Sequence, residues 1–285
     1  MIDRAPDIDA ISALLIEVGR DLILPRFRRL DPGDVERKHT ATDPDDVVTV
    51  VDRQAEARLT ESLLSLLPGT PVIGEEAVHA RPEILEGLGS DGPVWLLDPI
   101  DGTRNFVAGD DGFGIMLAYV TGGEAQAAWI LLPARDELFV AEAGSGAFFN
   151  GTPVKVAVKE PPPLLRGVLH VRYMPAGLKA SITSTARGRF RVESDARSAA
   201  VEYMDILRGS RDFAVYYRLL PWDHAAPALI LSEGGGRCEH LGGDPYRPRS
   251  PDQVTIVASS SRIADRVRGW FAPLTRFAAP DRAIY

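Results

Sequence analysis

One cysteine, Cys238, among 285 residues excludes an internal disulfide, and with it a small scaffold stapled by bridges. No apolar run comes near the roughly 18 residues that a membrane helix needs. The first residues carry Asp3, Asp7 and Asp9, where a secretory leader would have a basic start and an unbroken apolar stretch. Basic charge is short as well: 32 Lys and Arg against 40 Asp and Glu leave a net charge of −8. That balance opposes a phosphate backbone, so neither nucleic acid nor membrane is expected as a partner. An acidic surface would repel small phosphates too, unless bound divalent cations reverse the local sign. Internal repeats and low-complexity tracts are also missing. Together these absences predict a cytoplasmic globular protein, long enough to bury a sizeable core in one large domain or two smaller ones.

Apolar residues at 8, 11, 14, 15, 18, 22 and 23 recur at helical spacing and predict a first helix over 8–30, disturbed near Pro25. The Asp-rich segment 31–46 reads as a loop or hairpin. The β-branched run 47–51 suits a strand by propensity. Thr49 and Asp52, however, form a capping-box pattern that Ala55, Leu59 and Leu63 continue, so the spacing predicts a helix to about residue 67. Short strands are expected over 71–73, ending at Gly74-Glu75-Glu76, and over 94–97, ending at Asp98. Segments 113–120, 126–132 and 137–143 read as antiparallel strands. Gly144-Ser145-Gly146 reads as a hairpin turn rather than a dinucleotide fingerprint, since no suitable third glycine or helix follows.

Glu160-Pro161-Pro162-Pro163 interrupts any regular element and divides the chain into halves, 1–158 and 159–285. Beyond it, strands near 167–171 and 254–258 alternate with helices near 178–187, 198–207, 222–232 and 261–271. Gly234-Gly235-Gly236 closes the third of these helices. Mixed strands first and alternating elements second give an α/β or α+β class.

The most informative stretch lies between Trp95 and Phe106. An apolar segment runs into Asp98 and Asp101, and Gly102-Thr103 follows at a helix start. Strand, acids, then a backbone able to approach an anion: that order suggests metal ions gripping a phosphate. Candidate ligands stand in four places, at Asp52, Glu75-Glu76, Asp98 with Asp101, and Asp223. Hard cations such as Mg²⁺ take oxygen ligands of this kind. Without a cation such a cluster repels itself, by about 4 kcal/mol for two charges ~4 Å apart at an effective dielectric near 20. Each acid alone has a plainer reading: a turn starter at Asp98-Pro99, a solvated helix start at Glu75-Glu76, a helix N-terminal acid at Asp223. Their combination, in order and in the right local setting, outweighs those readings.

Gly74-Glu75-Glu76, Asp98-Pro99-Ile100-Asp101-Gly102-Thr103 and Trp222-Asp223-His224-Ala225-Ala226, with Glu233-Gly234-Gly235 beyond, resemble the inositol monophosphatase family. That group of Mg²⁺-dependent, lithium-sensitive phosphomonoesterases includes fructose bisphosphatases and bisphosphate nucleotidases. The likeness extends through Leu24-Pro25-Arg26-Phe27, Arg135-Asp136-Glu137-Leu138 and Phe149-Asn150-Gly151, and is weakest across 31–45 and 160–195. It implies a layered αβαβα sugar-phosphatase fold, two or three Mg²⁺ ions per subunit and a homodimer. By the same resemblance Glu75, Asp98 and the Ile100 carbonyl bind a first metal, and Asp98, Asp101 and Asp223 a second. Glu75 would reach a weaker third ion through water. Gly102 and Thr103 would hold phosphate oxygens, Thr103 and Glu75 would orient the attacking water, and Asp52 and Glu76 would support them from behind. Asp101, Ser198, Ala199, Tyr216 and Asp223 would meet the substrate. Cys238 and the histidines are spare, with His224 a helix-surface or packing residue rather than a base.

The substrate side departs from the family pattern. Arg197 replaces the glycine of a Gly-Ser/Thr-Ala-Ala run, here Arg197-Ser198-Ala199-Ala200, and Tyr216 stands where inositol-hydrolysing members place a Glu. Arg104-Asn105-Phe106 differs from the Lys-Glu-Phe of bisphosphate nucleotidases. Lys38 falls near a lysine beside the family's mobile metal loop, and Asp43, Asp45 and Asp46 are candidate recruiters of the weak ion. The expectation is a phosphomonoesterase acting on a small polyol or sugar monophosphate, such as an inositol phosphate. The alternatives are fructose-1,6-bisphosphatase, histidinol-phosphatase or 3′(2′),5′-bisphosphate nucleotidase activity, or a non-catalytic regulator on the same fold.

Overall fold

The computed structural model describes residues 5–38, 46–156 and 160–277. Helix α1 (Ile8–Val18) starts at Asp7, whose carboxylate accepts the Ala10 N–H at 3.0 Å, and buries Ile11, Leu14, Leu15 and Val18. The helix expected over 8–30 is shorter: it loosens into a π turn over Gly19–Ile23 and tightens into a 3₁₀ turn over Leu24–Arg26. Pro25, which has no N–H to donate, lies in that last 3₁₀ turn, beyond which the chain leaves helix. Both local signals in 47–51 are used. Val47–Thr49 is a strand, β2, paired antiparallel with β1 (Val35–Arg37), and helix α2 (Val50–Leu66) begins directly after it. Thr49 caps α2 through a reciprocal box with Asp52, so the expectation of helix alone at 47–49 is corrected while its cap stands.

Strand β3 (Val72–Gly74) leads into the short helix α3 (Glu75–Ala80), and β4 (Val94–Asp101) into α4 (Thr103–Ala108). A meander follows: β5 (Gly114–Thr121), β6 (Glu124–Leu132), β7 (Glu137–Glu142), β8 (Gly146–Phe149) and β9 (Thr152–Val154). Strands β3 to β9 lie side by side in chain order as one seven-stranded sheet, parallel only at β3–β4. The final hairpin of this sheet, β8 and β9, is too short and mixed in sequence to show a period. A second sheet is built from β10 (Arg166–Leu169), β11 (Arg191–Val192), β12 (Phe213–Tyr216), β13 (Arg237–His240) and β14 (Thr255–Ala258), in the order β11-β10-β12-β14-β13. Helices α5 (Ala176–Ala186), α6 (Ala199–Arg208), α7 (Pro221–Glu233) and α8 (Ser261–Phe271) alternate with its strands.

Side-chain alternation along the strands divides the core into three apolar seams. Leu97, Leu117 and Trp129 face α1 and α2, meeting Leu15, Leu59 and Leu63. Leu96, Met116 and Ile130 face the other way onto α6 and α7, where Tyr203, Met204 and Ile230 also meet Ala214 and Val257 of the second sheet. Phe213 and Ile256 face outward onto Ile182, Ile263 and Val267 of α5 and α8. The layers therefore run helix, sheet, helix, sheet, helix, the αβαβα order that the resemblance implies. Leu59 is fully buried in the first seam, so Leu59→Ala costs about 2–5 kcal/mol and loosens α2, which carries Asp52.

Candidate active site

All eight residues of β4 are buried, and the strand does not stop at Leu97 as its composition suggested. Its pairing with β5 runs regularly to Asp98↔Met116, breaks, and resumes at Asp101↔Gly114. Pro99 cannot donate to the ladder, and the Ile100 N–H turns instead to Asp98 Oδ1 at 3.0 Å. Both acids thus sit on the bulged end of a buried strand. Gly102 reverses the chain at φ 82°, and a Cβ there would lie 2.8 Å from the Gly112 carbonyl oxygen and 3.1 Å from Ser198 Cβ. Only glycine satisfies both the left-handed backbone and that approach.

Asp101 is held from the second half of the chain. The Ser198 hydroxyl donates to its Oδ2 at 2.5 Å, with the Ala200 N–H on the same oxygen at 2.9 Å and the Ala199 N–H on Oδ1 at 3.1 Å. These donors open α6, whose dipole favours an anion there. Burial pushes Asp101 up to about 6, and the three hydrogen bonds restrain that rise. Arg197, just before this turn, adopts a left-handed φ of 54°, which explains why glycine suits the position better.

Two further acids come from α3. The Lys38 ammonium, 4% exposed, donates to Glu75 Oε1 at 2.7 Å and to Glu76 Oε1 at 2.5 Å. Burial lowers the Lys38 pKa, but Glu75 and Glu76 outweigh that effect and hold it above its ordinary value. Glu76 rises to about 8 through burial and the Glu75 charge, against the pull of Lys38. Asp46 also lines the cavity, whereas Asp43 and Asp45 lie outside the described residues.

Thr103 opens α4, and its hydroxyl oxygen lies 3.0 Å from both Asp52 Oδ1 and the Ile100 carbonyl oxygen. The other Asp52 oxygen accepts the Thr49 hydroxyl at 2.5 Å and the Thr49 N–H at 2.8 Å. Asp52 is 1% exposed, and burial pushes it up to about 6 against these hydrogen bonds. Sequence reasoning missed Glu56 on the same helix. Its carboxylate accepts the Glu76 and Ala77 N–H groups, each at 2.8 Å. A charged residue next to Ala55 on the apolar face of α2 is the signal that could have found it.

Asp223 lies in the first turn of α7, after Pro221. It faces the same cavity of about 940 Å³ as Glu75, Asp98, Ile100, Asp101 and Thr103. Burial, then Glu75, Asp101 and Asp223, hold Asp98 well above the usual carboxylate range. Asp223 is raised likewise by burial, Glu75 and Asp101, with Arg218 opposing. Among the described residues, no three Asp, Glu, His or Cys side chains are already close enough to hold an ion. Here Glu75 is bonded to Lys38, and Asp101 to the start of α6. The donor set still fits Mg²⁺: hard oxygens lining one cavity, with Asp98, Asp101 and Asp223 raised by burial and by the neighbouring carboxylate charges that a cation would offset.

The rest of the cavity lining includes aromatic and basic side chains. His170 stacks on Tyr216 with ring centroids 4.2 Å apart and 7° between planes, and its Nε2 lies 2.9 Å from Glu202. Tyr216 reaches the cavity, but its hydroxyl is buried without a hydrogen-bond partner among the described residues. His170 and the fully buried Glu202 were not foreseen; a Glu on the apolar face of α6 was the available signal. Arg218 lies over the Tyr173 ring at 3.8 Å and Arg172 at 5.9 Å, and both line the cavity with Lys179 and Arg197. Of the two readings of His224, helix surface or packing, the structure shows packing: it is 2% exposed, 2.9 Å from the Tyr203 hydroxyl, and lowered to about 3 by burial. Burial pushes the Cys238 thiol up to about 12, leaving it unreactive.

Comparison with known proteins identifies the family and the fold. The sequence pattern of the Inositol monophosphatase family matches residues 7–273. The chain is 33% identical over 273 residues to the fructose-1,6-bisphosphatase/inositol-1-monophosphatase of Thermotoga maritima, covering 91% of this chain and 93% of that one. It is 31% identical over 229 residues to the Nus factor SuhB of Pseudomonas aeruginosa, covering 76% and 79%. The solved structure of Thermotoga maritima IMPase superposes with a TM-score of 0.76 at 29% identity, over 95% of this chain and 98% of that one.

Proposed function

Because the chain belongs to the inositol monophosphatase family, we propose that it is a Mg²⁺-dependent phosphomonoesterase that releases inorganic phosphate from a small polyol or sugar monophosphate. The observation that carries this reading is the facing of Glu75, Asp98, Asp101 and Asp223, from three separate stretches of chain, onto one cavity beside Thr103. In this reading Glu75, Asp98, Asp101, Asp223 and the Ile100 carbonyl would hold two or three Mg²⁺ ions. Mg²⁺ supplies a lowered pKa for water and neutralises charge on the phosphoryl oxygens.

The chain's own groups do the orienting. The Thr103 hydroxyl has one proton, given either to Asp52 or to the Ile100 carbonyl, and its lone pairs remain to accept from the attacking water. Glu75 would accept from that water on the other side once Lys38 yields. Glu76 keeps the Lys38 ammonium at hand, and Asp52 fixes the Thr103 rotamer. The Gly102–Thr103 turn lines the cavity, and its N–H groups would be the donors to the phosphate oxygens. Ser198 and Ala199, which now bond Asp101, would stand beside the alcohol.

A second reading concerns the substrate's other end. Arg172 and Arg218, both against Tyr173, with Lys179 and Arg197, favour an alcohol that carries a further anionic group such as a second phosphate. A cytoplasmic homodimer sensitive to lithium belongs to the same proposal. No helix among the described residues is long and apolar enough to cross a membrane.

Phosphate release from inositol 1-phosphate, fructose 1,6-bisphosphate, histidinol phosphate and adenosine 3′,5′-bisphosphate tests these readings together. Turnover with Mg²⁺ should vanish in EDTA and in Asp98→Asn. Equal inactivity of wild type and Asp98→Asn across the whole panel would favour a regulator on the same fold.

A further inference from the structure

Helix α2 carries two acids one turn apart, and each takes hold of the start of a different helix. Asp52 Oδ1 meets the Thr103 hydroxyl at 3.0 Å, at the start of α4. Glu56 accepts the Glu76 N–H on Oε2 and the Ala77 N–H on Oε1, each at 2.8 Å, at the start of α3. Neither short helix has a side-chain cap of its own, because glycine stands at the N-cap position of both, Gly74 and Gly102. Glu56 is 7% exposed. A Cβ on Gly74 would lie 2.4 Å from both its carboxyl carbon and Oε2, so only glycine leaves room for the clamp. Residues four apart share one helix face and are separated by about 6 Å along the axis. The face of α2 therefore acts as a ruler between Thr103 and the first turn of α3.

We propose that Glu56 is a positioning residue for the phosphatase site: by clamping the first turn of α3 to α2, it sets the Glu75 carboxylate relative to Thr103. This inference rests on the phosphomonoesterase reading above. Two carboxylates, Glu75 and Glu76, stand side by side on one helical turn and share the Lys38 ammonium as counter-charge, so their placement depends on how that turn's backbone is held. A bidentate acceptor on two successive N–H groups fixes that backbone. Loss of the clamp frees Glu75 to swing while leaving the sheets and the apolar seams in place, because Glu56 makes these two bonds at the edge of the core and not within it.

The test uses Glu56→Gln, the shorter Glu56→Asp, and Gly74→Ala, which displaces the clamp from the opposite side. Ser260→Ala serves as the comparison, since it removes a helix cap on α8 remote from the cavity. Mg²⁺ binding is measured by calorimetry on the full chain without substrate, alongside kcat, KM and Tm. Glu56→Gln and Gly74→Ala are expected to weaken Mg²⁺ binding and to lower kcat by about ten- to a hundredfold, with the substrate KM within about threefold. Glu56→Asp should fall between them and wild type. Ser260→Ala should lose Tm with unchanged Mg²⁺ binding. If the Glu56 variants change Tm alone, as Ser260→Ala does, or if wild type binds no Mg²⁺, the inference is overturned. Should Glu56→Gln fail to fold, Glu56→Asp and Gly74→Ala decide it by the same readouts. Wild-type protein that binds Mg²⁺ through this clamp yet releases no phosphate from any substrate would overturn the phosphatase reading and leave the positioning result standing.

Discussion

Ser198 and Asp101, 97 positions apart in sequence, share a hydrogen bond of 2.5 Å that ties the second half of the chain to the end of β4. The same Ser198 oxygen accepts the Val201 N–H at 3.1 Å, so one hydroxyl caps α6 and holds a buried carboxylate. A change at either end of this bond acts on both helix and site.

Ser198→Ala should therefore lose about 1–2 kcal/mol of stability, from the lost cap and the lost donor to a buried charge. Turnover should fall with it, because Asp101 gains freedom. Urea unfolding and kcat measured on one preparation check this, with Ser198→Thr expected to keep both near wild type. A loss of stability with undiminished turnover would show that the rotamer of Asp101 is irrelevant to the chemistry.

Thr103 offers a sharper test of orientation. Thr103→Ser keeps the hydroxyl between Asp52 and the Ile100 carbonyl and should retain most activity. Thr103→Val keeps the shape but leaves the Asp52 oxygen without this donor, and kcat should drop about a hundredfold, the scale of a misplaced reactant. Steady-state kinetics at saturating Mg²⁺ separate the two. Equal kcat for Val and Ser would remove Thr103 from the mechanism.

The raised acids fix a pH dependence. Asp52, Glu56, Glu76 and Asp101 titrate at about 6, 7, 8 and 6 in the folded chain, above the ~4 usual for unfolded carboxylates. A raised acid favours the folded state while protonated, so its contribution is complete below about pH 4 and is lost as pH climbs through 6 to 8. Lys38, raised as well, stays charged over that interval. Metal-free protein should thus lose stability toward alkaline pH. Mg²⁺ would compete with the protons on Asp101 and on the likewise raised Asp98 and Asp223, so its gain in Tm should be larger near pH 8 than near pH 5.5. Thermal scans in EDTA and in Mg²⁺ measure this, and a gain that ignores pH would contradict the assignment.

What the sequence made legible followed from local chemistry. The Thr49–Asp52 box, the run of three antiparallel strands from 113 to 143 and the glycine stop after α7 all have short-range causes, and the structure contains each of them. Errors arose where a local signal was incomplete. The β4 strand continues past Asp98 because its partner β5 re-engages at Asp101 beyond the proline, which no single-strand period can show. The first helix leaves α geometry already after Val18 and ends in a 3₁₀ turn around Pro25. Candidate site residues stood out by type and order, but their partners did not. Lys38 reaches Glu75 and Glu76 across 37 and 38 positions, and His170 reaches Glu202 across 32. Such contacts depend on which faces the layers bring together, a property of the packed chain.

The central claim is that acids at 75, 98, 101 and 223 gather around a shared group of cations bridged by Asp98, and it is tested most directly by crystals grown with Mn²⁺ and phosphate and measured at the manganese edge. The account predicts anomalous peaks about 2.2 Å from oxygens of Asp98 and Asp223, with phosphate beside Thr103 and Lys38 displaced from Glu75. Manganese bound elsewhere, with Asp98 and Asp223 on no common ion, would contradict it.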